Sequence, residues 1–299
     1  MIQICEVGPR DGLQTEKTLF SLEQKVEMIK RLVEAGLKKI EVVSFVNPRV
    51  IPQMANAEEV TARLPREEGV SYAGLVLNRS GLERSLTTPL DTLHVVLAVS
   101  DELNRRNTRR TVEQSCKELV PVIREAVVAG KNVVGVLGTS FGCPYEGSVP
   151  LQRVLKIADL FCQSGCREIT LADTAGLAHP RQVRETVREF RRWFADAELG
   201  LHFHNTRGLG LSNVYSGYLE GVVRFDSSIG GLGGCPFTPK AAGNVCTEDM
   251  VNMFHRMGET TGTQLEKLVD TALWVQTQAG RRLDGMVMRA SDPSQIGSK

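Results

Sequence analysis

His202 and His204 flank a single phenylalanine in the run Gly200-Leu201-His202-Phe203-His204-Asn205, and on an extended strand alternate side chains leave the same face. Both imidazoles can therefore be aimed at one ion, for which neutral imidazole is a ready ligand. A carboxylate from Asp11 and the amide carbonyl of Asn244 would complete a mixed nitrogen and oxygen shell. That shell favours an octahedral ion such as Mg²⁺ or Mn²⁺ over a closed structural zinc site. The plain alternative is two hydrogen-bonded histidines in a core, and Asp11, within Gly8-Pro9-Arg10-Asp11-Gly12, can instead bond to its own turn. Arg10 offers a guanidinium for negative charge developing on a substrate oxygen, while Asp11 ligates the metal or relays a proton. Glu41 and Asp173 are two further carboxylates, readable as supports of such a site or as salt-bridge partners. Cys235 follows Gly230-Gly231-Leu232-Gly233-Gly234, which would place its thiol on a flexible loop. The same glycines can cradle a phosphate, and a small buried cysteine is the simplest reading of all.

These residues need a scaffold that brings distant segments to one rim. Eight short apolar runs alternate with longer amphipathic stretches: 2–7, 39–45, 71–77, 92–99, 132–138, 168–172, 200–203 and 223–229. Such alternation is the pattern of repeated βα units, and eight units close a barrel. Helices are expected over 21–35, 111–129, 150–164, 180–194, 211–220 and 247–257. In the first, Leu22, Val26, Ile29, Leu32 and Val33 share one face, and Ser21 with Gln24 resembles a capping box. Gly36, Gly130, Gly165 and Gly221 stand where helices end. A last stretch, 264–281, reads as an extra helix that can pack on the barrel or against another subunit of a homodimer. The expectation is one α/β chain: a single (β/α)8 TIM barrel with a C-terminal helix over 1–290, and a mobile polar tail over 291–299. In a barrel of this kind, chemistry gathers at the C-terminal ends of the strands. All the residues singled out above, except Asn244, lie at or just beyond such ends.

Composition narrows the partners. The chain has 299 residues, with 36 basic against 35 acidic side chains and a formal charge of +1, so long-range attraction to nucleic acid or to an anionic membrane is not expected. The run Asn104-Arg105-Arg106-Asn107-Thr108-Arg109-Arg110 carries four arginines but no aromatic platform, and reads as a solvated helix start or a contact for a substrate phosphate. No apolar run approaches the roughly 20 residues of a membrane span, and Met1 opens into Ile2-Gln3-Ile4-Cys5 without the layout of a targeting segment. Seven scattered cysteines form no disulfide framework, pointing to a reducing cytoplasm and mostly buried thiols, with Cys143 undecided.

Several segments together resemble the 3-hydroxy-3-methylglutaryl-CoA lyase family of metal-dependent acyl-CoA barrels, over nearly the whole chain. They are 6–14, Ser44-Phe45-Val46, Gly142-Cys143-Pro144-Tyr145-Glu146-Gly147, His202-Phe203-His204, and Gly231-Leu232-Gly233-Gly234-Cys235-Pro236 with Ala242-Gly243-Asn244. The resemblance implies a divalent metal on Asp11, His202, His204 and Asn244, Arg10 polarising a thioester carbonyl, and Cys235 as a catalytic residue of a mobile loop. Glu41 and Asp173 match family catalytic positions, and His202 or Cys235 would exchange the proton of the departing carbon. The implied reaction is retro-Claisen cleavage of an acyl-CoA thioester, 3-hydroxy-3-methylglutaryl-CoA first and a relative such as citramalyl-CoA second. A non-catalytic barrel that only binds is the outlying alternative. The chain departs from the family pattern at Asn205, Arg207 and Lys240.

Overall fold

A computed structural model describes residues 1–234 and 243–291. Its centre is a closed barrel of eight parallel strands in sequential order: β1 (Gln3–Glu6), β2 (Lys39–Ser44), β3 (Ser71–Val76), β4 (Thr92–Ala98), β5 (Asn132–Gly138), β6 (Glu168–Asp173), β7 (Glu198–Phe203) and β8 (Arg224–Ser227). All eight expected strands are present, shifted by no more than two residues at either end. Around them run α1 (Leu22–Glu34), α2 (Ala57–Ala62), α3 (Arg79–Leu86), α4 (Asp101–Thr108), α5 (Val112–Val128), α6 (Leu151–Ser164), α7 (Pro180–Trp193), α8 (Gly210–Leu219), α9 (Thr247–Arg256), α10 (Leu265–Ala279) and α11 (Met286–Ser291).

The local signals act as their chemistry requires. Ser21 accepts from the Gln24 amide while the Gln24 side chain accepts from the Ser21 amide, and Thr111 with Gln114 repeats the arrangement at α5. The four helix-end glycines all have positive φ, from 78° to 117°. The C-terminal helix α10 packs on α1, α9 and α11 of its own chain, with Gln24 donating to Gln278 at 2.7 Å. Ser291, expected to begin the tail, closes α11, and the rest of that segment lies outside the described residues. The helices bury an apolar layer against the strands, with Phe161, Phe190, Phe203, Phe225 and Phe254 among the largest enclosed side chains.

Two features of the sheet position the site. At the N-terminal mouth the first residues of four strands form an ion cluster: Lys39 meets Glu168 at 2.7 Å, and Arg224 meets Glu198 at 2.6 Å and Glu168 at 3.6 Å. Beside it Ser71 and Thr92 share a hydroxyl hydrogen bond of 3.2 Å. The second feature is a β-bulge in β2, where Glu41 pairs with Ala73 but Val43 pairs with the next residue, Gly74. One extra residue reverses the inside and outside phase of a strand. Lys39 and Glu41 face the barrel interior before the bulge, and Ser44 and Val46 line the central cavity after it.

Candidate active site

A cavity of about 1420 Å³ opens at the C-terminal ends of the strands and reaches down to Glu41, His94 and Asp226 in the barrel interior. Asp11 enters it from the turn after β1. There the amides of Asp11 and Gly12 both donate to the Val7 carbonyl, at 2.7 and 3.1 Å, so the chain coils tightly and presents the carboxyl inward. His202 and His204 arrive from the end of β7, and ligand atoms of Asp11, His202 and His204 all lie within 4.8 Å of one another. All three residues are buried.

Asn244 comes from a segment laid antiparallel against the end of β7, where it bridges His204. The Asn205 amide donates to the Gly243 carbonyl at 2.9 Å and the Val245 amide to Phe203 at 3.0 Å. Gly243 has to be glycine, because a Cβ there would stand 1.7 Å from the Gly231 carbonyl oxygen. The Asn244 side-chain nitrogen donates to Asp11 Oδ2 at 2.8 Å and to the Leu232 carbonyl at 3.1 Å. Its buried carbonyl oxygen has no hydrogen-bond partner. An orphaned oxygen beside an acidic and two imidazole ligands is the donor set that a hard or borderline divalent cation accepts, so these four residues fit the metal.

Charge around the group is arranged the same way. Burial works to raise the Asp11 carboxyl, but Arg10, His202 and His204 outweigh it and hold it below its ordinary value. Burial works to lower His202, but Asp226 and Asp11 outweigh it and raise the ring. Asp226 accepts from His202 Nδ1 at 3.1 Å, which leaves Nε2 of that ring for a ligand.

Arg10 is nearly enclosed. Its Nε donates to Glu41 Oε2 at 2.5 Å and its Nη1 to Asp11 Oδ1 at 2.7 Å. Glu41 is fully buried and its other oxygen accepts from His94 Nδ1 at 2.8 Å. Burial pushes this carboxyl up, yet Arg10 and His94 together hold it below its ordinary value. Thus Arg10, Asp11, Glu41, His202, His204 and Asn244 are brought together at one mouth.

The sequence model of the HMGL-like family matches residues 1–275. The chain belongs to the HMGL-like family. It is 39% identical to a hydroxymethylglutaryl-CoA lyase of Bacillus subtilis over 282 residues, 94% of each chain. It is 38% identical to an (R)-citramalyl-CoA lyase of Chloroflexus aurantiacus, covering 97% of this chain and 94% of that one. Among solved structures, an HMG-CoA lyase of Acinetobacter baumannii in complex with coenzyme A and 3-methylmalate superposes with a TM-score of 0.94 at 36% identity, over 99% of this chain and 97% of the other. With relatives of these names at 38–39% identity over nearly its whole length, this chain is a carbon–carbon lyase.

Asp173, at the end of β6, is absent from the cavity wall; its two oxygens accept from the Leu177 and Ala178 amides at 2.8 and 2.9 Å and hold the following turn. Cys235 and Lys240 lie outside the described residues. Arg207 donates to the Ala175 and Gly176 carbonyls at 2.8 and 3.0 Å, bracing the same turn, and Asn205 accepts from the Gly210 amide at 3.0 Å to start α8. Neither lines the cavity. Cys143 is buried and accepts from the Ser100 hydroxyl at 3.0 Å, a loop-holding role.

Asp226 and His94 were not among the residues singled out from sequence. His94 is the lone ionisable residue of its predicted apolar strand, and Asp226 lies two positions beyond Arg224 on the same strand, in phase with inward-facing neighbours. That placement was the available signal.

Proposed function

We propose that this chain cleaves 3-hydroxy-3-methylglutaryl-CoA to acetyl-CoA and acetoacetate, with Mg²⁺ or Mn²⁺ held by Asp11, His202, His204 and Asn244. The observation that carries the reading is the convergence of those four side chains with Arg10 at the head of a cavity large enough for an acyl-CoA thioester. When bound, such a cation would acidify and orient the tertiary hydroxyl of the substrate, and Asp11 is proposed to take up the proton that the hydroxyl loses. The rest falls to side chains. Breaking the carbon–carbon bond leaves its electron pair on the acetyl-CoA fragment as a thioester enolate, and Arg10 offsets that charge from a position fixed by Glu41 and Asp11. A proton must then reach the enolate carbon, and Cys235 is the proposed source, since both ring nitrogens of His202 are taken up by Asp226 and the cation. Asp173 supports the site by holding the turn that carries Thr174 into the cavity.

The cavity rim suits the carrier. Lys17, Arg106, Arg109, Arg110 and Arg281 stand around it, a set of cations for the phosphates of coenzyme A. Arg106 is held by Glu102 at 2.8 Å and lies 4.0 Å over the Tyr145 ring, so the basic run serves a small-molecule phosphate rather than nucleic acid. No helix of the described residues is long and apolar enough to cross a membrane, and the six cysteines of the described residues are unpaired. Both facts support a cytoplasmic enzyme.

The second reading is an (R)-citramalyl-CoA lyase, favoured by a relative of that name at 38% identity, nearly the same as the 39% to a hydroxymethylglutaryl-CoA lyase. Both substrates release acetyl-CoA and differ in the keto acid left behind. The test is a panel of 3-hydroxyacyl-CoA thioesters with Mg²⁺ or Mn²⁺, scored for the second product. Acetoacetate from 3-hydroxy-3-methylglutaryl-CoA at the highest kcat/KM is expected. Preferential release of pyruvate from citramalyl-CoA would transfer the assignment, and no turnover of any thioester would leave a binding protein.

A further inference from the structure

Arg10 is useful only if its guanidinium stays in one place, and its anchor is a carboxylate that spans two strands. Glu41 projects from β2 and His94 from β4, with β3 between them. On β3 Ala73 pairs with Glu41 and Leu75 with His94, and the two side chains, Glu41 and His94, meet across that strand in a 2.8 Å hydrogen bond. Glu41 divides its oxygens, Oε2 to Arg10 Nε and Oε1 to His94 Nδ1. A fully buried carboxylate with only one oxygen satisfied would turn to find a second donor and carry the guanidinium with it. Both neighbours hold Glu41 in its ionised, acceptor-only form, so the proton of this contact sits on His94 Nδ1.

We infer that His94 is a positioning residue for the cleavage proposed above, fixing Arg10 at the thioester through the chain His94–Glu41–Arg10. It rests on that function, and its task is geometric: it supplies one N–H at one point and need not exchange a proton with substrate. A guanidinium displaced by about 1 Å from a developing charge loses on the order of 100-fold in rate. The loss should fall on kcat rather than on KM, because the enolate charge is absent from the bound substrate and develops only as the carbon–carbon bond breaks.

The test compares His94→Asn, whose side-chain nitrogen can replace Nδ1 as donor to Glu41, with His94→Leu, which has no donor. Expected are kcat within about threefold of wild type for His94→Asn, and a fall of roughly 10- to 100-fold for His94→Leu with KM and Mn²⁺ affinity unchanged. The Arg10 Nε–H resonance, identified by its loss in Arg10→Lys, should keep its hydrogen-bonded shift in His94→Asn and lose it in His94→Leu. Equal loss of kcat in both variants would overturn the inference, since His94 would then act through its ring; so would full activity in both. If the wild-type enzyme cleaved no thioester, the proposed function would fail, while the Arg10 resonance would still decide whether His94 sets the guanidinium.

Discussion

At the scale of single residues the proposed function separates groups that would hold a cation from groups that would handle the reacting carbons. His204 belongs to the first set, within 4.8 Å of Asp11 and His202 in ligand atoms. His204→Ala should therefore abolish Mn²⁺ binding and turnover together, read by calorimetry and by acetyl-CoA release. The second set is proposed to include Cys235, so Cys235→Ala should keep Mn²⁺ affinity while turnover falls by about 100-fold, the range of a lost proton donor. Metal affinity lost in Cys235→Ala, or kept in His204→Ala, would contradict this division. The meeting of His202 and His204 was readable in the sequence because alternation on one strand aims them together. The partners of those ligands were not, since nothing in the order of residues says that Asp226 of β8 reaches His202 or that His94 reaches Glu41 across a strand. The same holds for Arg207, whose charge suggested an anion but whose guanidinium is spent on the Ala175 and Gly176 carbonyls.

Secondary-structure elements decide which of these side chains meet. Glu41 and Ser44 are three residues apart and would face opposite ways on a regular strand, yet the bulge between Glu41 and Val43 turns both toward the interior. Beside Glu41 on β3 stands the small, buried Ala73. Ala73→Leu should wedge Glu41 and His94 apart, costing about 1–3 kcal/mol of stability as overpacking does and lowering kcat with Mn²⁺ affinity retained; thermal melts and steady-state rates check it. A stable, fully active variant would mean that Glu41 and His94 can part without consequence. The eight strands and the long helices were legible because apolar period and capping signals agree, as at Ser21 and Thr111. The short α3 and α4 were not, since α4 buries only Leu103 and Asn104 and so lacks the apolar stripe by which a helix is recognised. The bulge was likewise invisible, because one inserted residue leaves no compositional mark.

Across the whole molecule, buried acids away from the cavity couple stability to pH. Burial pushes Glu248 up to about 8 and Glu6 up to about 7, the latter against hydrogen bonds from Thr247, Ile229 and Gly8. Both ordinary values are 4.5, so between that pH and about 8 the native state holds more protons than the unfolded chain. Stability should thus be greatest near pH 5, fall as pH rises, and level off above about 8. Urea unfolding from pH 5 to 9 would show the slope, and Glu248→Gln should flatten its upper part; a stability that climbs over this range would contradict the argument. The ion cluster of Lys39, Glu168, Glu198 and Arg224 at the opposite mouth has a kinetic consequence. It stoppers the N-terminal end of the barrel, so among the described residues the cavity has its doorway at the C-terminal ends of the strands. A thioester entering acyl end first would leave its coenzyme A part standing in that doorway, so the short acid formed at the far end is trapped until acetyl-CoA departs. Release is then ordered, and the short acid alone should compete with substrate in product-inhibition plots.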